Sequence, residues 1–223
     1  MVARGKLTVF LGVAPGVGKT FAMLCEGRRL ADEGVDVIIA LVETHDRADA
    51  GELVAGLSVM PPRTIIHQGA AFGELDVDAV IARSPAVALV DELAHTNVPG
   101  CRHGRRWQDV DALLEAGIDV VSALNVAHLD SLHDAVEELT GIAVQESVPD
   151  EFVAAAERVE LIDPSPETLR QRIQHGRVFT DGIQQVALGG ISPRQSWRAW
   201  ASWAGRGCSD ASSGHSGRPG PGG

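Results

Sequence analysis

Short apolar runs alternate with amphipathic stretches along the first 181 residues. Five runs have the length and composition of strands, namely Leu7–Val13, Val35–Val42, Ala86–Val90, Ile118–Leu124 and Arg158–Ile162. Strands this apolar are usually buried on both faces, because helices cover both sides of the sheet they form. The pattern therefore predicts an α/β fold in which a parallel sheet has helices on both faces.

Helical periodicity fills the segments between these runs. Three patterns place apolar residues at helical spacing and stop at a glycine: Phe21–Ala31 before Gly34, Trp107–Leu114 before Gly117 and Leu132–Leu139 before Gly141. The segment "PSPETLRQRI" predicts a further helix that starts with Ser165 as N-cap and Pro166 at the first helical position. Strands and helices thus alternate along the chain, as a doubly covered parallel sheet requires.

The character of the chain changes after Asp181. Its last part, including "GCSDASSGHSGRPGPGG", is rich in glycine, serine and proline and cannot bury enough apolar surface to order itself. We expect one domain over residues 1–181 and a low-complexity tail over 182–223 that is disordered or non-native, as a shifted reading frame would produce. Trp197, Trp200 and Trp203 leave open an alternative, in which the tail is a module that binds a partner or a membrane surface.

Composition narrows the class of function. A net charge of −11 argues against binding of nucleic acid through the overall surface. No apolar run reaches the roughly 18 residues that span a bilayer, and the N-terminus does not read as a signal peptide, so we expect a cytoplasmic chain without a membrane segment. The three cysteines, Cys25, Cys101 and Cys208, are too far apart in sequence to indicate a disulfide framework or a zinc site.

A glycine-rich turn follows the first apolar run, in "FLGVAPGVGKTFAML". Backbone N–H groups at a helix N-terminus bind a phosphate best where glycines allow the phosphate to come close. In such a turn, a following lysine binds the β- and γ-phosphates, and a following serine or threonine hydroxyl binds Mg²⁺. These residues are Gly16, Val17, Gly18, Lys19 and Thr20. The usual P-loop (Walker A) pattern also has glycine at position 13. This chain has valine there, so the start of the turn departs from the usual pattern.

An acidic pair ends the third apolar run, in "AVALVDELAH". In P-loop proteins an acidic residue at such a strand end holds the Mg²⁺ shell, so Asp91 is the predicted partner of Thr20 at a magnesium ion. Glu92, the next residue, is the candidate that orients a water for attack on the γ-phosphate. The expected cofactors are therefore ATP and Mg²⁺.

Other polar residues at strand ends leave several alternatives open. Glu43, Thr44 and His45 follow one run and Asn125 follows another, either as sensors of the γ-phosphate or as ordinary strand-end residues. His95, His103, His128 and His133 follow strand ends but lack zinc-site spacing. The loop with Arg102, Arg105 and Arg106 is either a phosphate-facing lid, a partner surface, or a set of solvated arginines at a helix start.

Taken together, these motifs resemble one family. "LGVAPGVGKTFAML", "VETHDRA", "DELAHTN", "RWQDV" and "SALNVAHLDSLHD" are similar to the N-terminal cytoplasmic domain of the Kdp potassium-sensor histidine kinases (KdpD). The resemblance runs from about residue 4 to about residue 181. Alanine is usual in that family at position 13, so the valine there is largely a family feature. Smaller departures are Cys101, Gly104 and Ala127, where serine, proline and glutamine are usual.

The resemblance implies a regulatory ATP-binding domain of a two-component sensor for potassium or osmotic signals. Gly16, Gly18, Lys19 and Thr20 would then contact the phosphates and Asp91 the Mg²⁺. It implies a response regulator as partner, a membrane-bound parent kinase with this domain on the cytoplasmic side, and ATP that is bound or slowly hydrolysed. The family's membrane helices and kinase core have no counterpart in these residues, so we expect a truncated chain. A stand-alone P-loop small-molecule kinase or nucleotidyl transferase is the alternative.

Overall fold

Six parallel strands form the central sheet of this computed structural model, which describes residues 3–13, 16–42, 54–140 and 144–163. The strands in chain order are β1 Leu7–Gly12, β2 Val37–Leu41, β3 Ser58–Val59, β4 Arg63–His67, β5 Ala70–Glu74, β6 Val87–Val90, β7 Asp119–Asn125 and β8 Arg158–Ile162. The sheet has the order β3-β2-β6-β7-β1-β8, and β4 and β5 form a separate antiparallel hairpin. The predicted parallel sheet and its α/β class are confirmed.

Five helices are described: α1 Lys19–Asp32, α2 Val77–Arg83, α3 Arg106–Glu115, α4 His133–Thr140 and α5 Asp150–Ala154. Two short 3₁₀ turns, Val126–His128 and Asp130–Leu132, precede α4. The three glycine-terminated patterns correspond to α1, α3 and α4. The helix expected at Ser165 and the tail expected over 182–223 lie outside the described residues. None of the helices in the described ranges is long and apolar enough to cross a membrane.

Alternate residues of the central strands point to opposite faces of the sheet, and helices cover both. On one face Phe10 and Leu89 pack with Met23 and Leu24 of α1. On the other face the neighbouring strand residues pack with α2 and α3, and this larger cluster also includes the segments around α4 and α5. The near-continuous apolar runs of the sequence are explained by this burial on both faces.

The hairpin, the short β3 and the helices α2 and α5 are elements that the sequence patterns did not predict. The hairpin turns at Gln68 and Gly69, whose φ angles of +48° and +82° are those of a tight two-residue connection. Most of its residues are exposed, so it lacks the apolar alternation by which strands are recognised. Only Glu74, its last residue, is buried.

The strand order decides which residues meet at the carboxyl edge of the sheet. β7 lies between β1 and β6, with Gly12 opposite Asn125 and Val90 opposite Ser122 in the parallel register. The segments that follow β1, β6 and β7 therefore emerge side by side. This edge, at the carboxyl ends of the strands, is where open parallel sheets bind ligands.

Candidate functional site

The glycine turn joins β1 to α1, and two of its glycines have a left-handed backbone conformation. Gly16 and Gly18 have φ angles of +75° and +108°, in the region that favours glycine over residues with a side chain. Gly18 is also the N-cap of α1, so the glycine turn leads directly into the first turn of that helix. Ala14 and Pro15, within the turn, lie outside the described residues.

Gly12 is the position at which a side chain would block this turn. A Cβ atom there would lie 2.5 Å from Cγ2 of Val17 and 2.7 Å from both Cγ and Cδ of Lys19. The Lys19 side chain therefore passes directly over the Gly12 backbone. The close approach falls at Gly12, one residue before the glycine of the usual P-loop pattern, where this chain carries Val13.

Thr20 and Asp91 meet across the edge of the sheet. The Thr20 hydroxyl donates a hydrogen bond to Oδ2 of Asp91 at 2.9 Å, although the two residues are far apart in sequence. Asp91 is fully buried, and burial together with the charge of Glu92 raises the pKa of its carboxyl to about 6. Hydrogen bonds from Thr20 and from Glu92 N–H, and the charge of Lys19, oppose that rise.

Glu92 has a backbone conformation that is rare for a residue with a side chain. Its φ is +54°, and its N–H donates to Oδ1 of Asp91 at 2.9 Å. The side chain is exposed, whereas the following residues Leu93 and Ala94 are buried. Non-glycine residues held in this region cluster at functional sites, because the surrounding structure must impose the conformation.

Asn125 lies beside the glycine turn, between β1 and β6. Its side-chain Oδ1 accepts a hydrogen bond from the N–H of Ala127 at 3.2 Å and so caps the 3₁₀ turn that follows. The sequence alternatives of phosphate sensor and ordinary strand-end residue both remain compatible with this position. Glu43, Thr44 and His45 lie outside the described residues.

Two of the four histidines singled out from the sequence share an acidic neighbour, because Oε1 of Glu146 lies 3.7 Å from Nδ1 of His95 and its charge also acts on His128. Nε2 of His95 lies 3.2 Å from Oε1 of Glu74, and Nδ1 of His103 lies 2.7 Å from Oδ1 of Asp109. His128 has Lys19 and Glu92 among the charges that act on it. No group of three histidine, cysteine or acidic side chains with metal-binding geometry occurs within the described ranges.

The three arginines of the polar loop have three different environments. Arg102 pairs with Asp78 at 2.7 Å on the surface, and Arg105 is the N-cap of α3, where its backbone N–H donates to Oε1 of Gln108 at 3.1 Å. Arg106 is only 1% exposed, so the interpretation as solvated arginines is wrong for this residue. Its side chain lies beneath the site rather than in a lid.

A buried ion pair holds Arg106 beside the end of β6. Nη2 of Arg106 lies 3.1 Å from Oε2 of Glu74, and Nη1 lies 3.4 Å from the backbone carbonyl of Asp91. Burial raises the pKa of Glu74, but hydrogen bonds from Val98 N–H and His95 and the Arg106 charge outweigh it, so the net direction is down. Glu74 is therefore an ionised, fully paired carboxylate.

Sequence reasoning missed the members of this buried network. Glu74 belongs to the unpredicted hairpin, and Asp109 and Asn97 were not considered, although Asn97 Nδ2 donates to Oδ2 of Asp109 at 2.6 Å. Asn97 and Asp109 belong to "DELAHTN" and "RWQDV", the motifs that carried the family resemblance, but no local pattern links these motifs to Glu74. The network holds the end of β6 in place.

Comparison with known proteins identifies the family. The model of the KdpD family, described as the osmosensitive K⁺ channel His kinase sensor domain, matches residues 3–198. The chain belongs to this family. Its match continues past Asp181, so the resemblance extends further than the sequence motifs indicated. The position of a domain boundary stays a prediction.

Named relatives are similar over most of this chain. It is 53% identical to the sensor protein KdpD of Mycobacterium tuberculosis (strain CDC 1551 / Oshkosh). That alignment of 176 residues covers 79% of this chain and 20% of the relative. The Escherichia coli K12 sensor protein KdpD is 50% identical over 185 residues, 83% of the chain and 21% of the relative. The Clostridium acetobutylicum protein of the same name is 44% identical over 176 residues, which are 79% of this chain and 20% of that relative. The chain therefore spans about a fifth of the length of these relatives.

Proposed function

We propose that this sensor domain binds ATP together with Mg²⁺ at the carboxyl edge of its sheet. The observation that carries the proposal is the contact between Thr20, the hydroxyl residue of the glycine turn, and Asp91 at the end of β6. A hydroxyl and a carboxylate brought together beside a phosphate turn are the pair expected at a nucleotide-bound magnesium ion.

The two oxygens also suit the geometry of Mg²⁺. Magnesium takes octahedral oxygen ligands at about 2.0–2.1 Å, so two ligands at adjacent corners are about 2.9 Å apart. The Thr20 and Asp91 oxygens are 2.9 Å apart already. Mg²⁺ would be held by these two groups, and when bound it would neutralise phosphate charge. Its own charge would keep the Asp91 carboxyl ionised.

Lys19 is the cation for the phosphates in this proposal. Its side chain crosses the Gly12 backbone, and its positive charge opposes the rise in the pKa of Asp91. Lys19 is thus near the magnesium ligands and at the start of α1, where backbone N–H groups already favour an anion. Gly16, Val17 and Gly18 contribute that backbone.

Glu92 is the group that would support hydrolysis. It is exposed at the site, and its left-handed conformation is fixed by the burial of Leu93 on one side and the hydrogen bond to Asp91 on the other. A carboxylate so placed can orient a water toward the terminal phosphate. We propose binding of ATP with at most slow turnover, and Glu92→Gln would then abolish turnover while ATP still binds.

At the level of the whole protein, we propose that the domain regulates a sensor histidine kinase. Membership of the KdpD family and similarity to full-length proteins named sensor protein KdpD support this role. The proposal includes a response regulator as the downstream partner and a position on the cytoplasmic side of the membrane. Occupancy of the site by ATP would shift the balance between kinase and phosphatase activity toward that regulator.

The test compares the chain's two lysines. We expect titration calorimetry to show ATP–Mg²⁺ binding that is at least about tenfold weaker in Lys19→Ala, because the phosphates lose their cation. Lys6→Ala is the matched control, since Lys6 is exposed and forms a surface ion pair with Glu157. Equal affinity of Lys19→Ala and the parent chain would refute the proposed site.

A further inference from the structure

The 3₁₀ turn Val126–His128 occupies the middle of the ligand-binding edge. Because β7 separates β1 from β6, whatever follows Asn125 lies between the glycine turn and the Asp91–Glu92 pair. The hydrogen bond from Ala127 N–H to the Asn125 side chain bends the chain at once. The turn therefore stays at the site instead of leading away from it.

The backbone of His128 is fixed within this turn. Its carbonyl accepts a hydrogen bond from Val148 N–H at 2.8 Å, and the next residue, Leu129, forms an isolated parallel bridge with Val148. Val126, Leu129 and Val148 are all at least 97% buried. The imidazole itself is only half-buried, so a ligand can reach it while its backbone is held.

Four charged or titratable groups from different elements act on the His128 imidazole. They are Glu146 before α5, Glu92 after β6, Lys19 at the start of α1 and His133 at the start of α4. Burial is the largest effect and lowers the pKa of His128, which leaves the imidazole neutral at neutral pH. Lys19 and Glu92 are thus both among the charged groups close enough to act on the His128 imidazole.

We propose that His128 contacts the terminal phosphate of a bound nucleoside triphosphate and lets the site distinguish it from the diphosphate. This inference rests on the proposed ATP–Mg²⁺ site. The terminal phosphate would be the one farthest from the glycine turn, and the turn that carries His128 follows β7, which lies between the strand that leads into the glycine turn and the strand that ends before Asp91. A neutral imidazole donates one hydrogen bond to a phosphate oxygen. Proton uptake by the imidazole makes that bond charge-assisted and stronger.

The discriminating quantity is the ratio of ATP to ADP affinity. In the parent chain we expect ATP–Mg²⁺ to bind more tightly than ADP–Mg²⁺, by a larger ratio at pH 6 than at pH 8. Protonation of Asp91 changes the affinities for ATP and ADP alike, so its effect cancels in their ratio. We expect His128→Ala to weaken ATP about tenfold, leave ADP within about twofold and remove the pH dependence of the ratio. His128→Gln, which retains a donor, restores part of the ATP affinity without the pH dependence.

Controls separate this inference from its foundation. His67→Gln, in the hairpin, should behave as the parent chain, and urea unfolding of each variant checks its fold. If ATP binding depends on Lys19 but His128→Ala and His128→Gln keep the parent ratio, or lose ATP and ADP affinity equally, this inference is overturned and the ATP site stands. If Lys19→Ala binds ATP as well as the parent chain, both proposals are overturned.

Discussion

Replacing Asp91 by asparagine should stabilise the nucleotide-free protein. The Asp91 carboxyl is fully buried and has a pKa of about 6 in the folded chain, against 3.8 for an unperturbed aspartate. Its ionised form therefore opposes folding. That cost is absent below pH 3.8, grows as pH rises toward 6 and is complete above it.

The size of the effect follows from the two pKa values. A difference of about two pH units corresponds to about 3 kcal/mol of unfolding free energy at neutral pH, and to below about 1 kcal/mol at pH 4. Asparagine keeps both local hydrogen bonds in reach, because its oxygen can accept from Glu92 N–H and its amide can donate to the Thr20 hydroxyl. We expect Asp91→Asn to gain up to about 3 kcal/mol at pH 7.5.

The assay is equilibrium urea unfolding at pH 7.5 and pH 4, with chelator and without nucleotide. Glu115→Gln is the control, because Glu115 is an exposed carboxylate at the end of α3 and its loss should change stability by less than about 0.5 kcal/mol. A stabilisation that is the same at both pH values, or a loss of stability at pH 7.5, would refute the reasoning. Magnesium-dependent ATP binding should be lost in the same variant.

Three further substitutions test the packing that supports the site. Gly12→Ala places a methyl group where the Lys19 side chain passes, so calorimetry should show ATP affinity reduced at least about tenfold with the fold retained. Glu74→Gln leaves the buried Arg106 charge without its ion pair, and urea unfolding should show a loss of about 3–5 kcal/mol; an unchanged midpoint would contradict the paired arrangement. Gly27→Ala would bring a methyl within 2.4 Å of Leu89 Cδ1, with an expected cost of about 1–3 kcal/mol in the same assay. Gly34→Ala, where a Cβ meets open space but φ is +86°, should cost about 1 kcal/mol through backbone strain alone and serves as its reference.

The parts of the fold predicted from sequence are those with a strong periodic signal. The five apolar runs became strands within two residues of their predicted ends. Four of them lie inside the sheet, where burial on both faces leaves few polar interruptions, whereas β8 is a largely exposed edge strand. The glycine turn and Asp91 were predicted because phosphate and magnesium chemistry restrict residue type and spacing. The structure then brought Thr20 into contact with Asp91.

What the sequence did not predict depends on pairing between distant residues. A charged residue is expected at the surface, so nothing local in "GRRWQD" indicates that Arg106 is buried and Arg105 is not. The burial of Arg106 becomes intelligible only once Glu74, in a largely exposed hairpin, is placed beside it. Strand order could not be predicted for the same reason, because hydrophobic periodicity carries no information about which strand lies beside which.

The sheet register also determines when the proposed nucleotide site can form during synthesis. The glycine turn is translated well before the strands that β1 pairs with, β7 and β8, as in Leu7 with Val120 and Thr8 with Arg158. At elongation rates of about 5–20 residues per second, the first strand waits several seconds for its neighbours. During that interval its apolar side chains are uncovered and Asp91 has no neighbouring β7 to complete the site. A nascent chain should therefore acquire nucleotide only after β7 and β8 have emerged, which makes ligand binding a late event in the folding of this domain.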